Sequence, residues 1–367
     1  MKIAYLLGSL LRGGTETMVL DEFRNADTAP YEMICIHRKG GPYLDDYYAT
    51  GIKMIQCAPK RFGLMRYLWQ LRKYLLHENV TIVHAQQSID CIYAWLATIG
   101  TGIRVMETFH SYDIGLNRYN KWIRRISIQM ADVVCFVSKA QRDYYIKNYR
   151  IRQLDKLEVV YNGVDFVKLD VAKSTVESVK CKVESGRIRL CMVGNFVRGR
   201  SQMVIVKALH KLKEKIGKWD FYFIGRKDEG QAWRYDECVQ YCEDNQLTNV
   251  HFVGARSDVP ILLKTMDGFV YSTEHDTFGI AVIEAIAAGL PVVVNDWDVM
   301  KEVCGEANEG IRYFRTEDVE DAADKIAELL GNLETSKKVA EANAKRVREK
   351  YSIEKHIERL NEVYSVK

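Results

Sequence analysis

The sequence predicts an α/β protein with two doubly wound, parallel-sheet domains of the Rossmann-like type. Two observations predict it. Short apolar runs bounded by turn residues recur along the 367 residues with helical stretches between them, the rhythm of strand–helix–strand units. That rhythm breaks at residues 166–187, which are charged and only weakly periodic, the composition of a connection rather than a core. The length allows two domains, each with its own core. The expected organisation is a first domain over 1–165, a linker over 166–187 and a second domain over 188–350.

In the first domain, strands are predicted at 2–8, 32–37, 52–56, 81–85, 104–109, 133–137 and 158–161. A glycine-bearing loop at 8–14 leads into a helix over 15–25, with Thr15 placed to cap it. Two adjacent glycines, Gly13 and Gly14, let the backbone approach a bound group closely; a plain tight turn is the competing reading. Their spacing is neither a dinucleotide fingerprint nor a Walker loop. Ligands of such sheets sit beyond the strand carboxyl ends, so Gly13, Gly14, His84, His110 and Ser138 are expected along one rim. His110 leaves the apolar strand 105–109 at that end and is suited to donate to a hydroxyl or a developing charge. Residues 59–76 mix five Lys and Arg with aromatic residues. Such a helix can lie on an anionic bilayer, or it is an ordinary surface helix packed on the sheet.

The second sheet is predicted to begin at 188–193, followed by a loop carrying Gly194, Arg198, Gly199 and Arg200. A helix over 204–215, strands at 220–225 and 250–254, and a short helix from Arg256 to Lys264 come next. A strand at 268–272 then ends in an ionisable loop with Glu274 and Asp276. That loop delivers the chain into a helix over 278–288, stopped by Gly289 and followed by a strand at 292–295. The free N–H groups at the helix start, on Phe278, Gly279 and Ile280, suit an anion such as phosphate. Glu284 interrupts an otherwise apolar helix, so it either pairs with protein donors or meets ligand hydroxyls at the site edge. Asp296 and Asp298 form a D-x-D that is assigned to a turn, and helices at 319–330, 336–351 and 353–364 complete the chain.

Charge and cysteine content bound the function. A net charge of +4 is too small to argue for nucleic acid. Residues 1–165 carry 22 Lys and Arg against 16 Asp and Glu, while the remainder carries 31 against 33. The basic first half suits an anionic acceptor or membrane surface, or is simply a solvated face. Nine cysteines show no disulfide or zinc spacing and are read as reduced. No segment reaches 18 apolar residues, so a cytoplasmic protein is expected, at most attached to the inner membrane face.

Asp276, Thr277, Phe278 and Gly279, with Glu284, Ala285, Ala288, Gly289, Pro291, Val292 and Val293, resemble the donor-site signature of the retaining family 4 glycosyltransferases, which have the GT-B fold. The glycine loop, Asn162 to Asp165, the 194–200 loop and 252–267 extend the resemblance over nearly the whole chain. It implies two Rossmann-like domains facing a cleft, with 351–367 crossing back onto the first. It also implies transfer of a hexosyl or N-acetylhexosaminyl group from a nucleoside diphosphate sugar to a glycan or lipid-linked glycan, without cofactor or metal. Arg198, Arg200 and the helix start would hold the diphosphate, Glu284 the ribose, His110 the transferred sugar, and Arg256 would flank the base. The family's first acidic residue is here Asp276, an aspartate for a glutamate, with Glu274 as a possible substitute. A nucleotide-sugar 2-epimerase and a non-catalytic donor-binding component of a glycan-assembly complex are the alternatives.

Overall fold

The computed structural model describes residues 1–11, 13–58, 63–171, 186–213 and 218–366. The chain divides into two compact units, Met1–Val164 with Ile353–Lys367, and Asp165–Ser352. Expected features at 59–62, at the end of the 204–215 helix and over most of the 166–187 linker fall outside the described residues.

The first unit holds strands β1 (Lys2–Leu7), β2 (Glu32–His37), β3 (Lys53–Gln56), β4 (Ile82–Ala85), β5 (Arg104–Phe109), β6 (Val133–Phe136) and β7 (Leu157–Val159). They form a seven-stranded sheet in the order 3-2-1-4-5-6-7, every pairing parallel. The second unit holds β8 (Ile188–Val193), β9 (Trp219–Ile224), β10 (Val250–Gly254), β11 (Gly268–Tyr271), β12 (Val292–Asn295) and β13 (Ile311–Phe314). These form a six-stranded parallel sheet in the order 10-9-8-11-12-13. All residues of β4, β11 and β12 are buried, because helices cover both faces of a parallel sheet.

Helices attach by single stripes. In Leu64–His77 the buried residues are Tyr67, Leu71 and Leu75, four apart on one face. The last helix, Ile353–Ser365, buries Ile353, Ile357, Leu360 and Tyr364 in the core beside β1 and β2. Gly163 permits that docking, since a Cβ there would fall 2.8 Å from the Ile353 Cα. A polar network under the same helix joins Tyr5, Glu22, His84, His356 and Tyr364.

Several expectations change. The first helix is Gly14–Arg24 with Gly13 as its cap, so Thr15 lies inside it and caps nothing. The helix predicted at 278–288 is Ile280–Ala287, because Gly279 takes the left-handed conformation, φ 84°, and delays its start. Asp298 opens a helix, Asp298–Cys304, instead of staying in a turn, and β13 was not anticipated. The start of the expected linker belongs to the second unit: Phe166 and Leu169 are buried and Asp170 pairs with Arg348 at 3.0 Å.

Candidate active site

Each sheet reverses its strand order once, between β1 and β4 and between β8 and β11. Ligands of open parallel sheets bind beyond the strand carboxyl ends at such a reversal. In the second unit the loops leaving that point are 194–200 and 272–279, and hydrogen bonds zip them together. Arg200 and Thr273 form an antiparallel bridge. Thr273 Oγ1 donates to Gly199 O at 2.7 Å, and the Glu274 N–H donates to the same oxygen at 3.1 Å. Asn295, buried at the end of β12, accepts from the Thr273 N–H at 2.9 Å and returns a 2.7 Å bond to its carbonyl. Gly199 has φ 88°, and a Cβ there would fall 2.8 Å from the His275 Cβ.

This zipper fixes Asp276. Tyr271 Oη donates to its Oδ2 at 2.6 Å, Arg200 Nη2 donates to Oδ1 at 3.3 Å, and Arg200 Nη1 lies 3.2 Å from Oδ2. Trp297 Nε1 holds the Asp276 carbonyl at 3.1 Å. The Arg200 guanidinium lies over the Tyr271 ring, 5.3 Å from its centroid. Burial opposes the Arg200 charge, Asp276 and Tyr271 favour it, and the balance leaves its pKa above the ordinary value. Arg200, expected to hold the diphosphate, has a protein carboxylate as a partner, and its buried Nε lacks an acceptor. A guanidinium beside a fixed carboxylate orients that carboxylate as well as adding charge.

Glu274 points elsewhere. It accepts from Ser201 Oγ at 2.7 Å, and its charge raises the pKa of Glu317. Arg198 is exposed, with its N–H bonded to Gln231 Oε1 at 2.7 Å. Burial lowers the His275 pKa, Glu274 opposes this, and Arg198, Arg234 and Arg200 lower it further, so three guanidinium groups surround this loop. Arg234 carried no sequence signal, because it sits in an ordinary amphipathic helix, Ala232–Asp244. Arg256 forms a forked ion pair with Asp258, at 2.8 and 2.6 Å.

The first turn of Ile280–Ala287 leaves the Ile280 and Ala281 N–H groups without an intrahelical acceptor. Phe278 is core, meeting Tyr351 edge to face at 5.3 Å. Ile280, Ala281, Glu284 and Ala288 are half-buried while Val282, Ile283, Ala285, Ile286 and Ala287 are buried, so Glu284 lies on the open stripe. Asp296 is used by Thr316, whose N–H and Oγ1 donate to it at 2.9 and 2.8 Å. Among the described residues no three His, Cys, Asp or Glu side chains gather as a metal site.

In the first unit a cavity of about 400 Å³ lies at the strand carboxyl ends, lined by Thr15, Gln86, Ser88, Glu107 and His110 among others. His110 Nε2 meets Gln86 Oε1 at 2.6 Å, and burial pushes the imidazole pKa down to about 3. A neutral ring bonded to a carbonyl oxygen donates its Nε2 proton there. Glu107 is buried, accepts from Ser88 Oγ at 2.6 Å and has no hydrogen-bond partner at Oε2; burial pushes it up to about 7. Its place inside an apolar strand hid it in the sequence.

Two rim expectations fail. His84 is buried, with Nδ1 2.7 Å from Tyr364 Oη and Nε2 2.7 Å from Thr108 Oγ1, so the core and the last helix consume both ring nitrogens. Ser138 is buried as the cap of the helix Lys139–Tyr149, accepting from the Gln141 N–H at 3.2 Å while Gln141 Oε1 accepts from the Val137 N–H. Gly13 and Gly14 do stand at the helix start beside Thr15.

Comparison with known proteins bears on this arrangement. The profile described as Glycosyltransferase Family 4 matches residues 12–168, and Glycosyl transferases group 1 matches 175–346. The N-acetyl-alpha-D-glucosaminyl L-malate synthase of Bacillus anthracis is 24% identical over 304 residues, covering 78% of this chain and 75% of that protein. The UDP-Gal:alpha-D-GlcNAc-diphosphoundecaprenol alpha-1,3-galactosyltransferase of Escherichia coli is 24% identical, covering 81% and 79%. A glycosyltransferase from Rickettsia africae superposes with a TM-score of 0.87 at 21% identity over 99% of this chain and 97% of that one. HepE of Anabaena, solved with UDP and glucose, superposes with 0.85 at 15% identity over the full length of both chains. The paired parallel sheets are thus those of the GT-B fold, and the chain belongs to the group 1 glycosyl transferases.

Proposed function

We propose that this chain transfers a hexosyl or N-acetylhexosaminyl group from a nucleoside diphosphate sugar to a glycan or lipid-linked glycan acceptor, in cell-surface polysaccharide assembly and with retention of anomeric configuration. The observation that carries the reading is the Arg200–Asp276–Tyr271 group held beside the start of the helix Ile280–Ala287. The UDP and glucose named for the Anabaena structure and the UDP-galactose and lipid diphosphate named for the Escherichia coli enzyme support the class of substrates.

In this reading the helix N–H groups and Arg198 stabilise charge on the departing diphosphate, and Arg200 contributes both charge and the orientation of Asp276. Asp276 receives sugar hydroxyls, Glu284 receives the ribose hydroxyls, and neutral His110 positions the sugar. The acceptor oxygen bonds to the anomeric carbon as the carbon–oxygen bond to phosphate breaks, and the acceptor proton passes to the departing phosphate. Protein donors supply the charge stabilisation, so transfer proceeds without a divalent metal.

The test incubates purified protein with UDP- and GDP-linked hexoses and N-acetylhexosamines, with and without undecaprenyl diphosphate-linked acceptors, in excess EDTA. Product with the donor's anomeric configuration at full rate is expected. A C2 epimer formed without acceptor would establish the epimerase, binding without turnover a donor-binding component, and a rate restored only by Mg²⁺ or Mn²⁺ a metal requirement. Glu284→Gln should weaken nucleoside diphosphate binding by about 1.5–3 kcal/mol, read by calorimetry.

A further inference from the structure

The cavity at the carboxyl ends of the first sheet is lined largely by neutral hydrogen-bonding groups, among them Thr15, Gln86, Ser88 and Asn120. Its charged lining residues are Glu107 and Arg124. Arg124 is engaged by the protein, donating to Ser111 O at 2.9 Å, to Ser111 Oγ at 2.8 Å and to Tyr145 Oη. Among the described lining residues no cation is left for an anionic ligand, whereas a neutral polyhydroxylated one finds both donors and acceptors.

Two of these groups have their polarity set by the wall behind them. Gln86 is buried, its Oε1 accepts from His110 at 2.6 Å, and its Nε2 has no partner. Ser88 opens the helix Ser88–Thr98, is half-buried, and donates to Glu107 Oε1 at 2.6 Å. A serine whose proton is held in this way has only lone pairs to offer a ligand. Glu107 is 1% exposed, with Ala85 and Val134 as its strand neighbours. It sits between that helix, which brings Ser88 and Cys91, and Arg118–Met130, which brings Arg124 and Ser127; burial opposes its charge and these four groups favour it.

We propose that Ser88 contacts an acceptor-sugar hydroxyl in this cavity and that Glu107 is its positioning residue, holding the serine proton so that the Oγ lone pairs face the ligand. The identity of the ligand rests on the transferase reading. Gln86 completes the pair, since a hydroxyl that accepts from its Nε2 keeps its own proton for Ser88. Protonation of Glu107 reverses this polarity. A proton on Oε1 finds Ser88 Oγ, the serine turns its own proton outward, and the ligand hydroxyl then meets two donors and no acceptor. The carboxyl titrates at about 7, so the ionised, binding form prevails at pH 8 and falls to about a tenth of the molecules at pH 6. His110, at about 3, stays neutral across that range.

Saturation-transfer NMR titrations of the full chain with glucose and N-acetylglucosamine test binding at pH 6 and pH 8. Acceptor KM with undecaprenyl diphosphate-linked N-acetylglucosamine tests turnover at the same two values. In the parent, both sugar affinity and acceptor KM should favour pH 8 by about tenfold. Glu107→Gln, which keeps a hydrogen bond to Ser88, should give the same values at both pH. Ser88→Ala should raise acceptor KM by about tenfold at pH 8, with a smaller change in kcat and none in donor KM. Melting curves of both variants separate lost recognition from lost folding. A parent that binds neither sugar, a pH dependence that survives Glu107→Gln, or a parental acceptor KM in Ser88→Ala would each overturn the proposal. Sugar binding with the expected pH dependence but no turnover would support the subsite and sink the transferase reading.

Discussion

At the rim of the second sheet the Asp276 carboxylate has a guanidinium and a phenol donating to it, whereas at the rim of the first Glu107 accepts from Ser88 Oγ and leaves Oε2 without a hydrogen-bond partner. The neighbours differ in the same sense. Three arginines surround the 272–279 loop, while His110 is held neutral against an amide oxygen. In the proposed function the first rim meets neutral hydroxyls and the second anions, and burial is tolerated differently in each. Burial with too few donors is what raises the Glu107 titration.

The contrast is broken most directly at Asp276. Asp276→Asn keeps the size and the Tyr271 contact but removes the partner of Arg200, and it should lower turnover by about 100-fold, as for loss of a positioned transition-state contact. Binding of free nucleoside diphosphate should change little. Initial rates at saturating donor, with calorimetry on the product nucleotide, check both halves. Should Glu274→Gln carry the turnover defect instead, the acidic role belongs to the residue that Ser201 holds.

An intermediate effect is expected at Glu107. Its carboxyl titrates near about 7 in the folded chain against 4.5 ordinarily, so the unfolded chain loses that proton first as pH rises. The parent's stability from this group is complete below about 4.5 and lost as pH rises to about 7. Glu107→Gln, which keeps the acceptor for Ser88, should therefore stabilise the protein on the order of 3 kcal/mol at pH 8 and hardly at pH 4. Chemical denaturation at the two pH values reads this. A gain of equal size at both would mean that the site tolerates ionised Glu107.

The smallest effect sharpens the boundary of the first rim. Ser138→Ala removes a helix cap and should cost about 1 kcal/mol in melting experiments while leaving turnover unchanged. A turnover loss larger than the stability loss would return Ser138 to the site.

Local pattern determined much of this protein. Runs such as 292–294, apolar at every position and buried, mark central parallel strands, and the break after Asp165 separates two series of them. The anionic loop entering an apolar helix marked the second rim, since a carboxylate within Ile280–Ala287 has no local explanation. What tertiary structure decided lies in pairings between distant segments. Arg200 and Asp276 are 76 residues apart, and only the reversal of strand order between β8 and β11 brings their loops together and gives the proposed phosphate ligand an acid as partner. His84 and Tyr364 are 280 residues apart, and docking of the last helix withdraws that histidine from the rim on which its strand position had placed it. A side chain's residue type and spacing set which bonds it is able to make. The partner it meets, and so the charge it presents to a ligand, depends on which strands become neighbours.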